Sequence, residues 1–339
     1  MMTGREIARI AFELQKPPRV PVTLIGGGAW AVQHAGKTFG QIKNDPKQIA
    51  DAFIRFFNLF QNDLIWTGSN LLNYPIHFLG CPIKDDSADS PALQGTVIQS
   101  LDEIDRLSIE KVIQHPTMEA IIRSHHLVAD AIGKEAMIVP TQWAPFTLTA
   151  RILGMEPLLI ATLQEPDKLS RLIQFSTELT WAILERILDH PDILGANFSD
   201  PVASGDVVSP LTFRKFSAPA IRDLVDRVRT KNKYTMVHVC GNTTQVLKDV
   251  LEIHPHAFSL ENKVDLKVAK EVLGGKVCVA GNVSPTGAFL SGTPQQVMEE
   301  ARACLDAWGN EGGYILTVGC DFTKNVPLEN MKALMSFRK

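Results

Sequence analysis

The chain has 339 residues, 45% of them hydrophobic and 21% charged, with a formal net charge of −3 at pH 7. That balance speaks against a nucleic-acid partner, whose phosphates call for a basic surface, and no apolar run approaches the ~18 residues a membrane span needs. Residues 1–16 have no apolar core ahead of a small-residue cleavage site, so no signal peptide is expected and the expected location is the cytoplasm.

Short apolar runs alternate with longer amphipathic ones, the pattern of a parallel sheet covered by helices. Residues 20–25 read as strand one, ending in Gly26-Gly27-Gly28; residues 48–59 read as a helix and 63–66 as strand two. Residues 71–116 carry several prolines and weak periodicity, and are expected to form an excursion before the next helix. Strand three is expected at 136–142. In Pro166–Leu188 the residues Leu169, Leu172, Ile173, Leu179, Ile183 and Ile187 fall on one helical face. Strand four follows at 193–199, then a helix over 210–229. The second half repeats the step: strands at Tyr234–Val239, Ala257–Leu260, 276–280 and Tyr314–Val318, helices at 243–251, 266–272, Pro294–Trp308 and 327–335. Eight such steps predict one α/β domain over 1–339, a (β/α)₈ TIM barrel with an excursion around 71–116. No G-x-G-x-x-G run stands at a strand end, which weakens a dinucleotide-binding alternative.

The five cysteines, Cys81, Cys240, Cys278, Cys304 and Cys320, are an odd number without framework spacing, so reduced thiols are expected. Cys304 lies on a helix's apolar pattern and Cys278 in mid-strand, both expected in the core; Cys81, in a loop before Pro82, is expected nearer the surface. The other two stand where chemistry is expected. Barrel active sites gather at the C-terminal ends of the strands. Strand five ends in His238-Val239-Cys240-Gly241-Asn242, strand six at Glu261, strand seven in Gly281-Asn282 and strand eight in Gly319-Cys320-Asp321. His238 and Cys240, two apart on a strand, leave on one face; Cys320 opens onto the same mouth. One imidazole and two thiolates make a zinc set that leaves a fourth position for substrate, and the glycines beside the two cysteines are expected to admit a ligand closely. His125-His126 on a helix surface, and His34, His77, His115 and His190, show no partner spacing and are expected to pack or be solvated; His254 and His256 are expected at the opposite end of the barrel from the strand mouths, as structural residues.

The run His238-Val239-Cys240-Gly241-Asn242-Thr243-Thr244 resembles the zinc motif of the methylcobamide:coenzyme M methyltransferases, within the uroporphyrinogen decarboxylase superfamily. Further matches are Asp200-Pro201 with Gly205-Asp206 and Ser209-Pro210, Gly281-Asn282-Val283-Ser284-Pro285, and Gly319-Cys320-Asp321 followed by Pro327-Leu328-Glu329-Asn330. The resemblance spans nearly the whole chain. It implies a uroporphyrinogen decarboxylase-like barrel that moves a methyl group from methylcobalamin, carried on a corrinoid-binding protein, to a small thiol such as coenzyme M held on Zn²⁺ by His238, Cys240 and Cys320. The decarboxylase branch itself is expected to be excluded. Its Arg-Gln-Ala-Gly-Arg motif is replaced by Gly26-Gly27-Gly28-Ala29-Trp30-Ala31, and its strand-two aspartate has no counterpart in Trp66-Thr67-Gly68-Ser69-Asn70.

Within that reading Glu261 is the candidate for a displaceable fourth ligand, with an exposed helix-start acid as the plain alternative. Asp200 and Asp206 are candidates to orient His238, with helix capping as their alternative. Gly26 and Gly27 offer bare backbone to a corrin ring or substrate, a flexible turn being the alternative; Asn282 completes the cofactor-binding candidates. Another methyl acceptor, such as a folate, and a non-catalytic barrel that docks a corrinoid protein stay open, and a homo-oligomer is compatible with either.

Overall fold

The computed structural model describes residues 2–338. Seven strands form one parallel sheet: β1 Leu64–Thr67, β2 Met137–Trp143, β3 Gly195–Ser199, β4 Tyr234–Val239, β5 Ala257–Leu260, β6 Cys278–Val283 and β7 Tyr314–Val318. Neighbours in chain order are neighbours in the sheet, as results when each crossover runs through a helix with one hand. The strands are apolar and buried along almost their whole length, as strands covered on both faces must be.

In a closed barrel the segment 20–25 would lie between β7 and β1, and its hydrogen bonds put it there. Thr23 N donates to Leu316 O and Leu316 N to Pro21 O, while Asp63 N donates to Val22 O on the other side. The strand expected at 20–25 does not form; only the bridge Val22 to Leu316 is made. The reason is local. Asp63 Oδ2 accepts from Val22 N at 2.9 Å, Asn62 Oδ1 from Leu24 N at 2.9 Å and Thr317 Oγ1 from Ile25 N at 3.3 Å. Side chains thus take the amides a ladder would use, and Pro21 has none to offer. The architecture is a curled seven-stranded sheet whose eighth place is a seam stitched by side chains.

The helices follow their local chemistry. Pro46–Phe60 starts at Asp45, whose carboxylate accepts from Lys47 N and Gln48 N. Pro166–Leu188 and Pro294–Trp308 form as expected, each with proline in its first turn. The helix expected over 210–229 is interrupted: Pro210–Thr212 passes through a π-turn at Phe213–Ser217 into Ala218–Thr230. Pro219 lacks the amide that a continuous α-helix would use there. Two further helices, Pro145–Leu153 and Met155–Gln164, carry no clear apolar period in the sequence; Gly154, at φ +103°, turns the chain 110° between them. Among the described residues no single helix is long and apolar enough to cross a membrane.

The excursion at 71–116 folds as short helices and a small antiparallel hairpin, Ile83–Lys84 with Ala92–Leu93. Two expectations made from isolated residues are corrected. Cys81 is fully buried, its Sγ 3.3 Å from Gly95 O, because the hairpin folds over it. His125 is also buried, not on a surface: Gly68 lets the ring in, since a Cβ there would stand 2.7 Å from His125 Cε1, and Nδ1 meets Thr67 Oγ1 at 2.7 Å. Cys278 and Cys304 are buried in the core, and no cysteine is in a disulfide.

Candidate metal centre

His238 Nε2 lies 3.2 Å from Cys240 Sγ and 3.5 Å from Cys320 Sγ, and the two sulfurs are 3.6 Å apart. Tetrahedral zinc with ordinary bond lengths sets its ligand atoms about 3.6 Å apart for nitrogen–sulfur and about 3.8 Å for sulfur–sulfur. The donor set and its spacing therefore fit a zinc ion with little movement. Of the described histidines, cysteines and acids, these three alone form such a cluster, with all ligand atoms within 4.8 Å.

Local structure explains the meeting. His238 ends β4 beside Ser199 of β3 and Ser259 of β5. Cys240 follows two residues on, where Gly241 turns the chain at φ +69°. A Cβ on Gly241 would fall 2.3 Å from Ser204 Oγ and Asp206 Oδ2. A Cβ on Gly319 would fall 2.9 Å from Glu261 Cα. Both glycines were expected to make room for a ligand. They make room for neighbouring loops, and that close packing is what carries Cys320 across to Cys240.

The His238 ring is 1% exposed. Its Nδ1 is 3.1 Å from Ser259 Oγ, and Trp66 packs edge-on against it at 5.6 Å. Burial disfavours the imidazolium, but the charge and hydrogen bond of Cys320, the charge of Glu261 and the contact with Ser259 outweigh it, so its pKa is raised. The Cys320 thiol is held well above its ordinary range, chiefly by its hydrogen bond with Cys240 and by burial.

Ser259, not an aspartate, orients His238. Asp200 Oδ1 accepts from Thr147 N at 2.9 Å and Thr147 Oγ1 at 2.5 Å, and Oδ2 from Ser217 Oγ at 2.5 Å. It touches His238 only through backbone, Asp200 N donating to His238 O at 2.8 Å. Burial pushes its carboxyl up against the pull of those three hydrogen bonds. It takes a first-turn amide of Pro145–Leu153 and pins that helix to the end of β3, so it serves the preceding helix and not, as its capping alternative had it, the next one. Asp206 is exposed, paired with Lys263 Nζ at 2.6 Å and accepting from Asn242 N.

Glu261 stands outside the ligand cluster and reaches it only through its charge. Space beside Gly26 and Gly27 is already filled by protein: a Cβ on Gly26 would meet Asp321 Oδ1 at 2.0 Å and one on Gly27 would meet Phe322 and Phe56. Gly27 N donates to Asp321 Oδ1 at 2.8 Å. These glycines hold Asp321 in place. Asn282 Nδ2 donates to Glu261 O and Val264 O, bracing the loop that follows β5. Its Oδ1 faces Cys304 Sγ at 3.6 Å, so the buried amide is taken up within the protein.

Beside the three ligands opens a cavity of roughly 220 Å³, lined by Trp66, Leu72, Thr141, Trp143 and Asp321 among others. A three-residue donor set with a cavity beside it leaves room for a further group. Trp66, Thr141, Trp143 and Ser259 were not read from the sequence as site residues. The signal was present in part: Trp66 stands next to the end of β1, and Ser259 stands two residues before Glu261 on a strand whose end was already marked.

The family model for uroporphyrinogen decarboxylase matches residues 5–339. Methylcobamide:CoM methyltransferase MtaA of Methanosarcina barkeri is 27% identical over 230 residues, 67% of this chain and 65% of that protein. The chain thus matches somewhat less than two thirds of that relative's length. Methylcobamide:CoM methyltransferase MtbA of Methanosarcina mazei is 25% identical over 264 residues, 77% of this chain and 75% of that protein. Among solved structures, a methyltransferase from Methanosarcina mazei superposes with a TM-score of 0.88 at 22% identity, covering 100% of this chain and 98% of that one. At that identity the likeness speaks for the fold.

Proposed function

The chain belongs to the uroporphyrinogen decarboxylase family, and from that premise we propose that it is a zinc-dependent methyltransferase, passing a methyl group from a methylated corrinoid to a small thiol. The observation that carries this reading is the meeting of His238, Cys240 and Cys320 at the mouth of the sheet, beside a cavity. Relatives named as methylcobamide:CoM methyltransferases support the donor and the thiol. The missing arginines after strand one and the missing carboxylate at the end of β1 count against decarboxylation, because function resides in the site and not in the fold.

A zinc ion held by the three ligands would keep the acceptor's sulfur as thiolate, the form that attacks. The protein's own part is to position and to exclude. Ser259 fixes the His238 ring from one side and Trp66 from another. Leu72, Trp143 and Pro201 wall the cavity and limit water beside the sulfur. In the transfer the thiol proton leaves for solvent, and a sulfur lone pair forms the bond to the methyl carbon. The cobalt–carbon bond breaks with its electron pair staying on cobalt. Methylcobalamin and a thiol thus give cob(I)alamin, a methyl thioether and a proton. The corrinoid is a substrate, brought by a corrinoid-binding partner protein, and the free thiols suit a reducing compartment such as the cytoplasm.

Purified protein should hold about one zinc per chain, as a site with three protein ligands implies. It should demethylate free methylcobalamin only when a thiol is present, followed through the corrin absorption band. Cys320→Ser should abolish the activity. A rate independent of thiol, or a Cys320→Ser rate equal to wild type, overturns the proposal.

A further inference from the structure

The cavity beside the ligands has an electrostatic character that narrows the acceptor. No lysine or arginine lines it. Arg151, whose guanidinium lies 5.5 Å from the Trp143 ring centroid, is not among the lining residues. The ligand set adds to this. Two cysteine thiolates already neutralise a divalent ion, so an acceptor bound through its sulfur as thiolate leaves the centre with net negative charge. A second anion on the acceptor's tail would face that charge in a small, partly apolar space, with no cation on the wall to offset it.

The walls are mainly apolar, with Asp321 as their one acid, and they carry a few uncharged polar groups. Trp66 Nε1 and Thr141 Oγ1 belong to lining residues, are buried, and have no hydrogen-bond partner among the described residues. Asn197, paired in register with Thr141 across β2 and β3, is fully buried with both amide atoms unpartnered. A buried donor or acceptor left unpaired is costly, and on a residue that lines a cavity it is available to a ligand that enters there. Trp66 can only donate; Thr141 can donate or accept. A hydroxyl or carboxamide satisfies both.

We propose that the acceptor is a small thiol whose tail ends in an uncharged hydrogen-bonding group, a hydroxyl or a carboxamide, received by Trp66 and Thr141, and that a sulfonate thiol is disfavoured. This rests on the zinc–thiol reading above and departs from the acceptor named for the Methanosarcina relatives.

Titration calorimetry on the zinc-loaded protein, without corrinoid, tests it with three thiols of similar length: 2-mercaptoethanol, ethanethiol and 2-mercaptoethanesulfonate. The hydroxyl thiol should bind about tenfold more tightly than the sulfonate thiol, and several-fold more tightly than ethanethiol. Trp66→Phe and Thr141→Val should each collapse the preference for hydroxyl over ethyl. The wild-type series decides by itself should either variant fail to fold. Equal or tighter binding of the sulfonate thiol overturns the inference, and loss of that advantage in Arg151→Gln would name the cation responsible. Indifference between hydroxyl and ethyl overturns it as well. If no thiol binds, or all bind equally to protein stripped of zinc, the zinc–thiol reading fails, and the inference fails with it.

Discussion

Replacing Ser259 by alanine tests whether the metal site is built from its second layer of contacts. His238 is 1% exposed and its Nδ1 has one partner, Ser259 Oγ, at 3.1 Å. Removing that oxygen leaves a buried ring nitrogen unpaired, which costs about 1–3 kcal/mol. Outer-shell partners of metal-bound histidines are worth about 10–100-fold in metal affinity, or ~1.4–2.7 kcal/mol. The two figures agree, and Ser259→Ala should therefore weaken zinc binding by about that factor. Competition against a chromophoric chelator at fixed pH reads the affinity, and a melt of the metal-free protein reads the fold. If Ser259 merely filled space, the melting temperature of metal-free protein would fall and zinc affinity would stay within about threefold. That result would refute the reasoning.

Asp200→Ala should lower the unfolding free energy by about 3 kcal/mol or more, since it strands Thr147 N and two buried hydroxyls; denaturant titration reads it, and a small loss alongside collapsed zinc affinity would return Asp200 to the site. Glu261→Gln, outside the ligand cluster, should weaken zinc binding by less than about fivefold, the scale of a partly exposed charge; a larger loss in the chelator assay would make it a ligand. His125 has its pKa pushed down to about 3, first by burial and then by the charge of His126. Its folded value lies below the unfolded value of ~6.5, so the stability it contributes is present above that pH and is lost as pH falls toward 3, at up to about 1.4 kcal/mol per pH unit. Denaturation at pH 7, 6 and 5 should show a shallower decline in His125→Asn than in wild type; identical slopes would contradict it.

The parts of the molecule legible in the sequence were those governed by local period and by strand ends. Pro166–Leu188, Pro294–Trp308, Tyr234–Val239, Ala257–Leu260 and Tyr314–Val318 appear in the structure with the expected bounds. So does the convergence of His238, Cys240 and Cys320, because alternation along a strand and the common mouth of parallel strands are rules of placement. What escaped depends on partners distant in sequence. Residues 20–25 have the composition of a strand, but Asn62, Asp63 and Thr317 take their amides. His125 looks like a surface histidine until Gly68, 57 positions earlier, opens a slot for it. Asp200 stood at a strand end as a functional acid should, and a carboxylate's destination there is set by which hydroxyls the neighbouring helices bring.

The stitched seam bears on how the chain reaches its fold. Asp63 is fully buried and receives Arg19 at 2.6 and 2.7 Å, Val22 N at 2.9 Å and Arg338 at 3.1 Å. Its partner Arg338 is 275 positions away, and the Ile25–Thr317 contact spans 292. Contacts that far apart in sequence carry some of the largest loop-closure entropies in the molecule, whereas each consecutive strand pair closes a much shorter loop. The consecutive strand pairs are therefore expected to form before the seam, which is the last contact made. The same carboxylate that closes the ring then marks where it first reopens under partial unfolding, and the amides of residues 22–25 are the place to watch hydrogen exchange for that event.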